Sequence, residues 1–337
     1  MASTSSDLGA ADAGRARPFD LVSWLARYGT VIFLLLLLAG FSAAASDVFP
    51  TVRNALNILN QVSILGVIAF GLTVCLVMGL FDLSIAALAT FGGFASTWLL
   101  VLLDTDSALG VAGVVLLVLA LAMLIGVING ALVSYLGISA FIETLAMGSI
   151  VTGVILGVSG SQTIVSGIPD PFMAIGQGKV GGIPDPVLIM AAVGVLAWLF
   201  LEQTQAGRNL YAIGGNPEAA RLSGIRVKSY ALTALGICAS CAALGGLVAA
   251  ANLGAGRPQG VGEVYLLNAF AAVFIGASTL RPGRFHMLGT LVGVLLIGVI
   301  NNGLSILGVP TFWQYIVQGV LLILALISAG LTTVRRR

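Results

Sequence analysis

Two stretches of the chain resemble each other: GVINGALVSYLGISAF (Gly126–Phe141) and GVINNGLSILGVPTF (Gly298–Phe312). Each reads as the end of an apolar helix, a glycine-containing turn and the start of the next helix, with one residue of offset between the copies. Working outward, apolar segments recur at 29–46, 57–78, 84–103, 108–129, 140–158, 186–203, 230–252, 264–280, 287–307 and 312–331. Runs of about 20 apolar residues match the hydrocarbon core of a bilayer when helical. The two related stretches join segments 4–5 and 9–10, so the repeating unit is five helices. An odd unit forces its second copy to insert upside down. Inverted repeats of this kind place a pathway at the interface between the halves.

Composition agrees. Hydrophobic residues make up 58% of the 337 and charged residues 8%, against about 25% charged in a soluble domain. The expected fold is all-α: a polytopic transmembrane bundle of about ten spans in two inverted five-helix repeats, with both termini cytoplasmic. Segments three and eight are the weakest as spans, because Asp82 and Asn268 stand near their starts. Each could be bent, short or re-entrant. A fainter echo relates DLSIAALATFGG (Asp82–Gly93) to NAFAAVFIGAS (Asn268–Ser278).

Charge tests the count. With the N-terminus inside, the internal segments hold Arg15, Arg17, Arg27, Arg208, Arg221, Arg226, Lys228, Arg281, Arg284 and Arg335 to Arg337. Only Arg53, Lys179 and Arg257 fall outside. Lys and Arg concentrate on the cytoplasmic side of membrane proteins, and losing one span would ruin this asymmetry. Residues 1–27 read as a disordered cytoplasmic tail, 28–334 as the membrane domain and 335–337 as a basic tail. The run from Arg27 to SAAASD (Ser42–Asp47) has the outline of a signal peptide; its long polar lead favours an uncleaved first span.

One cytoplasmic stretch, IGGNPEAARLSGIRVKS (Ile213–Ser229), departs from the surrounding apolarity. Asn216 suits an N-cap and Pro217 the first helical position. Glu218 faces the positive end of the helix dipole. Ala219, Ala220, Arg221 and Leu222 favour helix, and Gly224 after Ser223 supplies the stop. The prediction is a two-turn helix at 217–223. At that length it is marginal in water by itself, so it must be held by packing. Its caps and basic flanks point to a docking element.

Catalytic signals are weak. Three cysteines and one histidine make neither a zinc site nor a nucleophilic triad. Cys238 and Cys241 form a C-x-x-C inside an apolar helix and read, with Cys75, as small packing residues. No phosphate-cradling G-x-x-x-x-G-K-[ST] occurs, so any ATP must be hydrolysed elsewhere. No catalytic residue, metal, bound cofactor or nucleic-acid partner is expected. Polar residues within the spans carry more weight, because they are costly there and line pathways. The candidates are Asn60, Gln61, Asp82, Asn129, Glu143, Asn268, Asn301, Asn302 and Gln314. Asn129 and Asn302 could equally cap helix ends at the repeat turns. A mostly uncharged lining suits a neutral sugar or polyol.

The stretch GRNLYAIGGNPEAARLSGI (Gly207–Ile225) resembles the cytoplasmic loop of ribose-type ABC sugar-importer permeases. The likeness continues through Asn54–Gly93, Gly137–Gly157 and Asn268–Leu326, with NNGLSILGV (Asn301–Val309) among its more specific parts. Departures are Gly79-Leu80-Phe81 where two glycines are common, Asn268 in place of an acid, RPGRFH (Arg281–His286) in place of a glycine-rich turn, and Glu143. The resemblance implies one of two permease subunits, with a second copy as the expected partner, in the inner membrane of a bacterium. A cytoplasmic ATPase would grip the short helix, and an external solute-binding protein would deliver a sugar or polyol. An ion-coupled secondary transporter is the alternative; it would work without a second gene product.

Overall fold

A computed structural model describes residues 21–334. All ten apolar segments are helical. In chain order the elements are α1 (Leu21–Ala44), α2 (Val52–Val77), α3 (Ile85–Leu102), α4 (Ala108–Leu136), α5 (Ala140–Ser159), α6 (Asp170–Gln177), the hairpin β1 (Lys179–Val180) and β2 (Ile183–Pro184), α7 (Asp185–Trp198), α8 (Gln205–Gly215), α9 (Pro217–Leu222), α10 (Val227–Leu253), α11 (Gly262–Ala277), α12 (Met287–Ile306) and α13 (Thr311–Val334). A π-helical turn at Leu199–Gln203 prolongs α7. The tails at 1–20 and 335–337 lie outside the described residues.

Eight of the described helices are long and apolar enough to cross a membrane. The two others of the ten are α11, at 16 residues, and α13, whose described apolar stretch is Thr311–Leu324. At 1.5 Å per residue α11 is about 24 Å long, short of a hydrocarbon core of about 30 Å.

The repeat is visible in the turns. Gly137 ends α4 and Gly308 follows α12, both at φ +71°, and each next helix starts three residues later. A left-handed residue is what a glycine admits without a Cβ clash. The contact pattern repeats too. In the first half α2 packs on α11 and α12, while α10 of the second half packs on α3 and α4. Likewise α3 packs on α5, and α11 on α13. Each half therefore lends its second helix to the third and fourth helices of the other.

Close approach depends on small residues. A Cβ on Gly92 or Gly246 would strike carbonyls across the α3–α10 seam, and one on Gly126 or Gly130 would strike α10 from α4. Dispersion across such seams holds helices together where lipid removes the hydrophobic drive. Two polar clasps tie α2 to α12: the Thr73 and Thr290 hydroxyls at 2.7 Å, and Asn54 Nδ2 donating to Asn302 Oδ1 at 3.0 Å.

The segments before α3 and α11 turn back into the bundle. The last turn of α2 touches α8, because a Cβ on Gly214 would strike the Val77 carbonyl. Yet Asp82, five residues on, lies beside Cys238. Cys238 stands eleven residues into α10, roughly 16 Å along its axis from Val227. From the opposite end, the segment after α10 descends until the Gly262 amide donates to Thr90 Oγ1 at 3.1 Å. A Cβ on Gly262 would strike the Ala86 carbonyl. The N-termini of α3 and α11 thus meet inside the bundle, and α11 is short because it begins there. The fainter echo is out of register: Asp82 precedes α3, whereas Asn268 lies within α11.

Candidate functional site

The candidate residues gather at two ends of the bundle and around its centre. One end holds the short helix predicted at 217–223, observed as α9 with Ser223 as its C-cap. Asn216 Oδ1 accepts from the Glu218 and Ala219 amides at 3.1 and 3.0 Å. At the other terminus Gly224, at φ +83°, donates to Arg221 O while Ile225 donates to Ala220 O. That pair of bonds is the Schellman closure. Arg221 grips Glu218 at 2.6 Å, which holds the Glu218 carboxyl below and the Arg221 guanidinium above its ordinary range. Both side chains are exposed, so the pair adds little stability and shapes the presented surface instead. Of the helix only Ala220 is buried; Leu222 is 78% exposed.

What holds α9 is α8. Leu210 and Ile213 of α8 are buried and Gly214 packs on the end of α2. Asn209 Nδ2 donates to the Tyr230 hydroxyl of α10 at 2.7 Å. Tyr211 Oη lies 3.1 Å from Glu202 Oε1 and 3.0 Å from the Phe285 carbonyl. Glu202 also pairs with Arg281 at 2.7 Å, and Arg284 covers the Tyr211 ring. Burial, then the Glu202 charge, pushes the Tyr211 phenol far up. The hydrogen bond to Glu202 raises Arg281. His286 is buried and neutral in its bonding: Nδ1 accepts from the Gly289 amide and Nε2 faces Thr279 O at 2.8 Å. Burial depresses its pKa. The segment 281–286 is thereby hitched to α8.

This hitch leads inward. Phe285 meets Phe274 edge-on at 5.3 Å, and Phe274 and Phe270 stack on Phe81 at 6.3 and 6.1 Å. Phe81 belongs to the inward-turning segment before α3. A continuous line of contacts therefore runs from α9 through α8 to the aromatic stack.

The opposite end holds two adjoining cavities of about 720 and 300 Å³. Asn60, Gln61 and Asn252 line both. The larger also meets Asn54, Asn57, Gln177, Asn302 and Ser305; the smaller reaches Tyr265 on α11. Carboxamides dominate. Arg53, Lys179 and Arg257, the three cations expected outside, all line these cavities, and among the described residues no carboxylate does.

The pathway candidates divide into separate groups. Asn60, Gln61 and Asn302 face the cavities. Asn301 accepts from Gln318 instead, and Gln314 bonds Ser305 on the surface. Asp82, Asn129 and Glu143 form a buried network around the start of α3. Ser84 donates to Asp82 Oδ1 at 2.5 Å. Asn129 Nδ2 donates to Ser84 Oγ at 3.2 Å, and in the flipped orientation the same nitrogen instead meets Glu143 Oε1 at 3.2 Å. Asn268 is buried on α11, its Nδ2 donating to Val264 O at 2.9 Å. Asn54, Asn57, Gln177 and Asn252 were missed. They stand at helix ends or in the 159–185 connection, where polarity is ordinary and carries no signal.

Comparison with known proteins fits this frame. A family model described as "Branched-chain amino acid transport system / permease component" matches residues 54–326. The chain belongs to this family of ABC importer permeases. It is 35% identical to the ribose import permease protein of Escherichia coli K12, over 92% of this chain and 96% of that one. It is 33% identical to the D-allose transport system permease protein of the same organism, over 93% and 94%. To the galactose/methyl galactoside import permease protein of Haemophilus influenzae it is 31% identical, over 95% and 98%. No solved structure matches the chain.

Proposed function

We propose that the chain is the membrane-spanning subunit of an importer for a sugar or polyol, moved by an ATPase that docks on α9. The end bearing α8 and α9 is cytoplasmic, and the cavity end faces outward to a solute-binding protein. The membrane is the inner membrane of a bacterium, the chain crosses it ten times, and two copies form the complete gate. The observation that carries this reading is α9 itself. It is a helix of six residues, capped at both ends, exposed on its outer face and fixed through α8 to the centre of the bundle. A helix so short persists only when anchored, and an anchored, exposed helix transmits motion.

The charge distribution supports this orientation. Arg208, Arg221, Arg226, Lys228, Arg281 and Arg284 lie at the α9 end, as the inside preference of cations requires. The cavity lining supports a polar solute: carboxamides donate and accept, and so match hydroxyl groups at either valence. Asn60, Gln61 and Asn302 are pathway residues on this reading. Asp82, Asn129, Glu143 and Asn268 shape the inward-turning helices. Asn301 and Gln314 fasten α12 and α13. ATP is bound by the partner.

The test is uptake into lipid vesicles. Complex containing this chain, its ATPase and its binding protein takes up solute only when ATP is supplied on the ATPase side. Uptake by the purified chain alone, driven by a proton or sodium gradient, would overturn the proposal in favour of a secondary transporter.

A further inference from the structure

Cys75 and Asp82 stand seven residues apart and Cys238 lies more than 150 residues further on, yet the fold gathers the three at one point. Their Sγ atoms and a carboxylate oxygen all lie within 4.8 Å of one another. The three residues come from three elements: the last turns of α2, the inward-turning segment before α3, and the middle of α10. Each is 0% exposed. Asp82 Oδ1 is occupied by the Ser84 amide and hydroxyl at 2.9 and 2.5 Å. Asp82 Oδ2 is buried with no hydrogen-bond partner. A buried carboxylate oxygen left unpaired is costly; of the two thiols beside it, Cys75 donates to Ala234 O at 3.2 Å.

We propose that Cys75, Cys238 and Asp82 form a binding site for a thiophilic divalent cation of the zinc or cadmium class. Two thiolates and one carboxylate are a donor set for such borderline-soft ions, whereas calcium and magnesium take oxygen alone. Zinc–sulfur bonds of about 2.3 Å and zinc–oxygen bonds of about 2.0–2.2 Å place ligand atoms within about 4 Å of one another, so a small contraction completes the cradle. Supporting bonds that fix a ligand's orientation are a regular part of metal sites. Here Ser84 fixes Asp82, and Asn129 stands behind Ser84. Binding releases the two thiol protons. Two thiolates, a carboxylate and the dication leave one negative charge, set against the N-terminus of α3, where the helix dipole favours an anion. An ion here clamps the α2–α3 segment of one half to α10 of the other.

The probe is Cd²⁺, added to the purified full-length chain in detergent and followed by its ultraviolet thiolate-to-metal absorption. The chain has only three cysteines and one histidine, so background is small. Wild type is expected to bind one equivalent and to melt at a higher temperature when loaded. Cys75→Ser and Cys238→Ser should each weaken binding by 100-fold or more, and Asp82→Asn by tenfold or more. Cys241→Ser, one turn along α10, should keep both the absorption and the melting shift. Cys75→Ala without metal should melt within a few degrees of apo wild type, which separates loss of a ligand from loss of the fold. Absence of the absorption in wild type would overturn the assignment. So would its survival in Cys75→Ser, or its loss in Cys241→Ser, which would point to the C-x-x-C pair instead.

Discussion

Tyr211→Phe isolates the link between α9 and the centre of the bundle. The change removes one oxygen and leaves the ring, so packing on Arg284 and on α8 is kept. Lost with the oxygen is a hydroxyl 3.1 Å from Glu202 Oε1 and 3.0 Å from Phe285 O. Glu202 is only 16% exposed and remains paired with Arg281. A hydrogen bond to a charged group contributes about 1.5–3 kcal/mol. Because Glu202 keeps Arg281, the lower end applies, and 1.36 kcal/mol is a factor of about ten in an equilibrium. The caps of α9 are untouched, so the variant should still assemble with its ATPase. In reconstituted vesicles the solute moved per ATP hydrolysed should fall about tenfold while basal hydrolysis persists. A double-mutant cycle with Arg281→Ala should be non-additive by more than about 0.5 kcal/mol, as for groups in one network. An unchanged transport ratio in Tyr211→Phe, together with simple additivity, would refute the proposed route of coupling.

Four further outcomes follow from the same contacts. Gly262→Val drives a branched side chain into the Ala86 carbonyl. Overpacking costs about 1–3 kcal/mol, so the melting temperature of the purified chain should fall by several degrees, whereas Gly113→Ala, in right-handed helix with open space around it, should cost less. Asn60→Ala should cut uptake several-fold without changing assembly, because Asn60 lines both cavities; equal uptake would remove it from the pathway. Glu218→Lys, which breaks the Arg221 pair and reverses the charge at the helix N-terminus, should abolish co-purification with the ATPase. His286 has a depressed folded pKa, so its neutral form contributes stability that is present above the unfolded value near 6.5 and is lost as pH falls below it. Thermal melts from pH 7.5 to 5.0 should therefore decline more steeply for wild type than for His286→Asn, which retains a side-chain acceptor for the Gly289 amide.

Much of this architecture is legible in the sequence because its causes are local. Ten apolar runs become ten helices, and α9 falls within one residue of its predicted bounds, since Asn216, Pro217 and Gly224 act on their own neighbours. The repeat turns were legible for the same reason: Gly137 and Gly308 take the same φ. Depth was not. Hydropathy reports that residues 84–103 and 264–280 are apolar, but not that the segments before them fold back, so α11 starts inside the bundle and is shorter than a span. Direction around a helix was not legible either. Asn301 and Asn302 are adjacent, and only the fold decides that Asn302 meets Asn54 and the cavity while Asn301 meets Gln318. Short α8 was hidden because its apolar face is just Leu210 and Ile213.

The account rests on α9 being the place where a cytoplasmic ATPase takes hold. Leu222→Cys puts a thiol at an exposed position of α9, apart from the three buried or half-buried native cysteines. In sealed inside-out vesicles this thiol should react with a membrane-impermeant maleimide, and assembly with the ATPase should protect it. Labelling only in right-side-out vesicles, or labelling that the ATPase leaves unchanged, would contradict the account.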